Sequence, residues 1–319
     1  MIGIMGAGAF GTALAIALAK TGQPVTLWCR TSEQARNLDK LRCNSAYLPD
    51  AVFPDSLKVA EDLSAIMGGK ALLIAVPLQH MRAAISVLPQ KTETPWVACC
   101  KGIELSTGLG PTGVLNDASP NVTTAILTGP SFAADIAIGR PTALTLACKD
   151  ATSGARLQAA LTTPTLRLYR TTDTVGAELG GALKNVMAIA CGAVIGAGLG
   201  DSARAATMTR GFAEMQRIGR ALGARTDTLA GLSGLGDLAL TCTSDLSRNY
   251  RLGVSLGRGD AFDPKITVEG AATAQAMSKI ARQKEIDTPI TNIVARLVEG
   301  STTVKDAIDS LMTRPLKEE

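Results

Sequence analysis

The sequence predicts an α/β fold: an N-terminal Rossmann-type doubly wound parallel sheet followed by an all-α C-terminal domain. Three observations carry this. Residues 1–30 read as one strand–helix–strand unit with a glycine-rich first turn. Short apolar strands then alternate with helical or polar stretches as far as residue 148, the pattern of a parallel sheet covered on both faces. From Thr174 onward nearly everything carries helical periodicity.

Taken in order, "MIGIM" is a short apolar strand, the glycines at 6, 8 and 11 turn the chain, and an Ala/Leu helix runs to Lys20. A turn at residues 21–24 leads into the second strand, "VTLWC". Further strands are expected at 71–77, 96–101, 123–129 and 143–148. The pattern changes after "LRLYRTTD" (166–173), so the expected domains are residues 1–172, nucleotide-binding, and 173–319, all-helical and substrate-binding. Glycine-rich stretches at 231–236 and 257–259 read as breaks between helices.

A length of 319 residues suits about two domains. With 46% hydrophobic and 19% charged residues the chain is of globular type. A net charge of +4 without charge runs, and only 3% aromatic residues, give neither the electrostatic footprint nor the stacking platforms of a nucleic-acid binder. Seven scattered cysteines, none in CxxC or metal-ligand spacing, read as reduced, buried thiols of a cytoplasmic protein, and no metal is expected. "ALAIALA" near the N-terminus resembles a secretory signal, but no basic residue precedes it and glycines interrupt it. Neither export nor membrane insertion is expected.

Gly6, Gly8 and Gly11 form G-x-G-x-x-G between a strand and a helix. In this setting the first glycine allows the tight turn, the second lets a pyrophosphate approach the backbone, and the third lets the helix pack on the strand. An acidic residue at the end of the second strand would bond a ribose 2′-hydroxyl; here the strand ends in Trp28-Cys29-Arg30. A guanidinium there suits a 2′-phosphate, so NADP(H) is favoured and NAD(H) remains possible.

The stretch "AELGGALKNVMAIACG" is small and apolar apart from Glu178, Lys184 and Asn185. On a helix Lys184 has Gly180, Gly181, Met187 and Ala188 as neighbours, with no acid on its face. The two glycines are expected to leave open space for a ligand against the lysine stem. Burial among apolar groups lowers a lysine pKa toward neutrality, as acid/base work requires. The competing reading is a snorkelling lysine whose head reaches water. Downstream, Asp237 follows a glycine-rich loop, and Ser247, Arg248 and Asn249 set a hydroxyl, a guanidinium and an amide side by side. That trio has the donors for a phosphate, although Ser247 also suits a helix N-cap. The single histidine, His80, follows a strand and is expected along the cofactor or in solvent rather than in catalysis.

The segments "GAGAFGTALA", "CKGIE", "LTGPSFA", "ELGGALKNVMAIA", "TRGFAEM" and "GLSGLGDLALTCTSDLSRN" resemble the bacterial NAD(P)-dependent glycerol-3-phosphate dehydrogenases, over essentially the full length. The resemblance implies reversible reduction of dihydroxyacetone phosphate to sn-glycerol 3-phosphate for phospholipid synthesis, with Lys184 as general acid/base. It implies substrate contacts from Lys101, Gly129, Ser131, Asp237, Ser247, Arg248 and Asn249. It implies cofactor contacts from Ala9, Phe10, Arg30, Lys101, Ala133, Arg248 and Glu269, and a homodimer. Asp237 is expected to hold Lys184, its charge raising the lysine pKa against the effect of burial. Many relatives carry serine and an aromatic where this chain has Ala9-Phe10, so one pyrophosphate contact is expected to be lost. In the rival β-hydroxyacid dehydrogenases an asparagine lies four residues after the lysine, where this chain has Ala188. A non-catalytic NADP(H) sensor would have no use for Lys184, Asp237 and the Ser-Arg-Asn cluster together.

Overall fold

The computed structural model describes residues 1–89, 92–264 and 266–313. The first half alternates as expected. Strand β1 (Ile2–Met5) leads to helix α1 (Ala9–Ala19), β2 (Val25–Trp28) and α2 (Ser32–Leu41). A small antiparallel ribbon of β3 (Cys43–Asn44) and β4 (Leu48–Val52) follows, then β5 (Leu57–Ala60) and β6 (Ala71–Ile74). Next come α3 (Leu78–Ile85), β7 (Trp96–Ala98), α4 (Pro111–Ala118) and β8 (Thr124–Thr128). The half closes with α5 (Ala133–Ile138), β9 (Thr142–Cys148), α6 (Ala151–Leu161) and β10 (Leu166–Thr171).

Eight strands form one sheet in the order β10-β9-β8-β7-β6-β1-β2-β5. Its central strands are buried on both faces, as their uninterrupted apolar runs require. One feature departs from the expected parallel sheet: β9 pairs antiparallel with β8, and β10 follows β9. The connection contains only the six-residue α5, about 9 Å long, whereas a parallel crossover must carry the chain back along the whole preceding strand. The chain therefore turns back beside β8. The chain leaves β1 to β2 on one side and returns to β6 on the other. The crevice at the carboxyl ends of β1 and β6 is thus a topological switch point, where open sheets bind ligands.

Beyond Thr171 the described chain is helical: α7 (Thr174–Gly196), α8 (Gly200–Ala221), α9 (Thr226–Ala230), α10 (Asp237–Cys242), α11 (Arg248–Arg258), α12 (Glu269–Gln283), α13 (Pro289–Val298) and α14 (Val304–Met312). Asp173 caps α7, accepting from the Gly176 amide at 2.8 Å. Among the described residues α7 is the one helix long and apolar enough to cross a membrane, but 78% of its most apolar window is buried in the protein. It is the core helix of this half, wrapped by its neighbours through Leu183, Met187, Met215 and Met277.

Neither glycine-rich stretch is a simple break. Residues Leu232–Gly236 form a π-helical turn running into α10. Gly257 lies inside α11, where an added Cβ would fall 2.3 Å from the Ala193 carbonyl of α7, so it serves close helix contact. Only Gly259, left-handed at φ 76°, ends the helix.

Candidate active site

The loop after β1 is built for close backbone approach. Gly6 has φ +111°, and a Cβ on Gly11 would fall 2.1 Å from the Gly6 carbonyl oxygen, so the third glycine lets α1 press on the loop. Gly8 differs: a Cβ there would meet nothing within 4 Å. It is the N-cap of α1 and supplies no side-chain cap, so the first-turn N–H groups are left for another acceptor. These features fit a dinucleotide pyrophosphate. Phe10 and Ala133 pack half-buried on the edge of the core beside this loop. Arg30 is exposed just past β2, and Thr31 caps α2 by accepting from the Gln34 amide at 3.2 Å.

Lys101 follows β7 and Gly129 follows β8, both at the carboxyl edge of the sheet. The Lys101 Nζ donates to the Gly129 carbonyl at 3.3 Å and to Oδ2 of Asp237 at 2.6 Å. The other oxygen of Asp237 accepts from Lys184 Nζ at 2.7 Å. Lys184 also donates to the Thr241 hydroxyl at 2.8 Å. Asp237 is fully buried and Lys184 only 7% exposed, which excludes the snorkelling reading. The Ser131 hydroxyl donates to the Gly129 carbonyl at 3.3 Å. One carboxylate thus joins a lysine of the sheet to a lysine of the helical half.

The open space expected beside Lys184 is absent. A Cβ on Gly180 would fall 2.5 Å from the Ser233 carbonyl, and one on Gly181 would fall 2.6 Å from the Thr128 hydroxyl. The glycines admit protein rather than ligand. Two opposing influences on Lys184 were left open by the sequence, and burial prevails. It pushes the ammonium pKa down to about 8, helped by the nearby Lys101 charge and opposed by Asp237. Thr241 was not foreseen, although its place four residues after Asp237 puts both on one face of α10.

Ser247 caps α11, its hydroxyl oxygen accepting from the Tyr250 amide at 3.1 Å. Asn249 accepts from the Gly270 amide at 2.9 Å. Both side chains therefore spend an oxygen on structure and keep their hydrogens as donors. Arg248 is exposed between them, and its charge acts on Glu269 at the start of α12. Burial raises the Glu269 pKa, while Arg248, Lys101 and Lys184 oppose the rise, so these charges share one neighbourhood. His80 lies on the first turn of α3 rather than in a loop. It lines a cavity of about 120 Å³ with Lys101, Gly102 and Glu269.

Family models match both halves: the NAD-dependent glycerol-3-phosphate dehydrogenase N-terminus over residues 1–154 and its C-terminus over 173–309. The chain is 60% identical over 322 aligned positions to a glycerol-3-phosphate dehydrogenase [NAD(P)+] of Ruegeria sp. (strain TM1040), covering 100% of this chain and 99% of that protein. It is 57% identical to the enzyme of that name from Cereibacter sphaeroides, covering 100% of both. A crystal structure of glycerol-3-phosphate dehydrogenase from Coxiella burnetii superposes with a TM-score of 0.91 at 35% identity, covering 98% of each chain. With a glycine-rich loop at the switch point and a lysine–aspartate–lysine cluster at the carboxyl edge of the same sheet, the chain belongs to the NAD-dependent glycerol-3-phosphate dehydrogenase family.

Proposed function

We propose that the chain catalyses the reversible reduction of dihydroxyacetone phosphate to sn-glycerol 3-phosphate, the backbone of phospholipids, with Lys184 as the acid/base group. The observation that carries the lysine's role is its burial against Asp237 and Thr241, with a pKa lowered to about 8. An ammonium has three donors, and Asp237 and Thr241 take two of them. The third is left for the substrate C2 oxygen, which Lys184 polarises and protonates during reduction. In oxidation the neutral amine takes the hydroxyl proton. When bound, the nicotinamide supplies or accepts the hydride at C2.

Asp237 holds Lys184 and Lys101 in register, and its charge cancels one of their two, leaving the trio at +1 beside an anionic substrate. Arg248, with the donors of Ser247 and Asn249, is assigned to the substrate phosphate. Gly129 and Ser131 border the site through the carbonyl that Lys101 and Ser131 share. For the cofactor, Gly6, Gly8, Gly11, Ala9 and Phe10 form the pyrophosphate cradle. Ala133, Arg248 and Glu269 are assigned further along it. Arg30 is assigned to a 2′-phosphate, favouring NADP(H) with NAD(H) also accepted. Seven free cysteines, six of them buried, support a reducing, cytoplasmic setting. The family resemblance supports a homodimer.

The test is NADPH oxidation with dihydroxyacetone phosphate. Lys184→Ala is expected to lower kcat by about 10²- to 10⁴-fold while NADPH binding survives. Full activity in the variant returns Lys184 to a structural role.

A further inference from the structure

We infer that Asn44 is a positioning residue for the dinucleotide, fixing the peptide plane at the centre of the glycine loop. The inference rests on the reading that this loop binds a dinucleotide.

Asn44 belongs to β3, outside the main sheet, yet its side chain reaches the loop after β1. The residue is 2% exposed, and Nδ2 donates to the Ala7 carbonyl at 3.1 Å and to the Thr12 hydroxyl at 2.8 Å. A carbonyl oxygen only accepts, so the amide's nitrogen end faces Ala7. Gln34 of α2 adds a longer donor to the same oxygen, at 3.4 Å.

The Ala7 carbonyl and the Gly8 N–H belong to one trans peptide, so they point in opposite directions. Holding the carbonyl toward the ribbon turns the Gly8 N–H to the other side of the loop. Thr12 is fully buried on the first turn of α1, where its own N–H donates to the Gly8 carbonyl at 3.0 Å. One side-chain amide thus fastens the loop before Gly8 and the helix turn after it.

A ribbon that merely packed here would be served by an apolar side chain, because burying an amide is unfavourable unless its hydrogen bonds are met. Orientation of the backbone also matters more in this chain. Gly8 supplies no cap and position 9 is alanine, so the loop offers an anion backbone N–H groups without a side-chain hydroxyl.

Asn44→Asp keeps the size and shape and removes both N–H donors. NADPH binding to the full chain is measured by fluorescence titration, beside adenosine 2′-phosphate, which carries no pyrophosphate. The NADPH Kd is expected to rise about tenfold while that of adenosine 2′-phosphate stays within about twofold of wild type. Asn44→Ala, which introduces no charge, carries the same expectation if the aspartate variant does not fold. An unchanged NADPH Kd, or equal weakening of both ligands, overturns the inference and leaves Asn44 a structural residue. Failure of the wild-type chain to bind NADPH overturns the dinucleotide reading as well.

Discussion

Replacing Asp237 with asparagine is expected to lower the Lys184 pKa and to move the pH profile with it. The carboxylate lies 2.7 Å from one ammonium and 2.6 Å from another, with no exposure of its own. At an effective dielectric of about 20, a charge pair at 2.7 Å is worth about 6 kcal/mol. The asparagine carbonyl still accepts a hydrogen bond and the side chains relax, so most of this is recovered. A fall of about 1–2 pKa units remains. The sign follows from what each charge does: Asp237 raises the Lys184 pKa, Lys101 and burial lower it, and the substitution removes only the raising influence. The assay is kcat/KM against pH in both directions. With Lys184 as the proposed acid/base group, wild-type reduction, which would use the ammonium, is expected to fall as pH rises through about 8, and oxidation, which would use the amine, to be gained there. In Asp237→Asn both midpoints move to lower pH. A midpoint at or above the wild-type value would refute the reasoning, because Asp237 would then not be what keeps Lys184 charged.

Two further outcomes are expected. Arg30→Ala should raise the NADPH Kd about tenfold, the loss of one charged hydrogen bond, and leave NADH nearly unaffected; equal effects on both would detach Arg30 from the 2′-phosphate. Burial raises the Glu178 pKa to about 7, against the hydrogen bond from the Thr112 amide and the charge of Lys149. A carboxyl raised in the folded state adds stability below its unfolded pKa of about 4.5, and that stability is lost as pH rises through about 7. The full span is about 3 kcal/mol. Glu178→Gln should therefore match wild type near pH 5 and exceed it near pH 8 in denaturant unfolding, and a pH-independent difference would sink the argument.

The candidate site is legible in the sequence where a local pattern forces the backbone. G-x-G-x-x-G between strand and helix gave the loop, and the chain meets its steric demands at Gly6 and Gly11. Lys184 stood out because a charge in a small apolar run has few benign explanations. Its surroundings were not legible, because they come from distant segments: Asp237 and Thr241 lie 53 and 57 residues away, and Lys101 reaches Asp237 across 136. The reversal at β9 was missed for a similar reason. An apolar run such as "ALTLAC" records burial but not direction, which the short connection through α5 decides.

In the sequence the glycines near Lys184 and those before Asp237 are separate signals, an opening for ligand and a break between helices. In the structure they are two sides of one contact. The missing side chain at Gly180 lets the backbone of the π-helical turn at Ser233 press directly on α7. Gly234 lets that turn close on α9, where a Cβ would fall 1.9 Å from the Leu229 carbonyl. Gly231 is extended and ends α9, the π-turn Leu232–Gly236 starts after it, and Asp237 is the residue that follows the turn. Seating the turn against α7 therefore holds the carboxylate 2.7 Å from an ammonium on the helix it touches. A buried carboxylate between two lysines contributes little net stability, because desolvation offsets most of the attraction. What the arrangement does supply is a fixed direction for the Lys184 ammonium and a fixed charge around it, joined through Lys101 to the sheet whose carboxyl edge holds the glycine-rich loop.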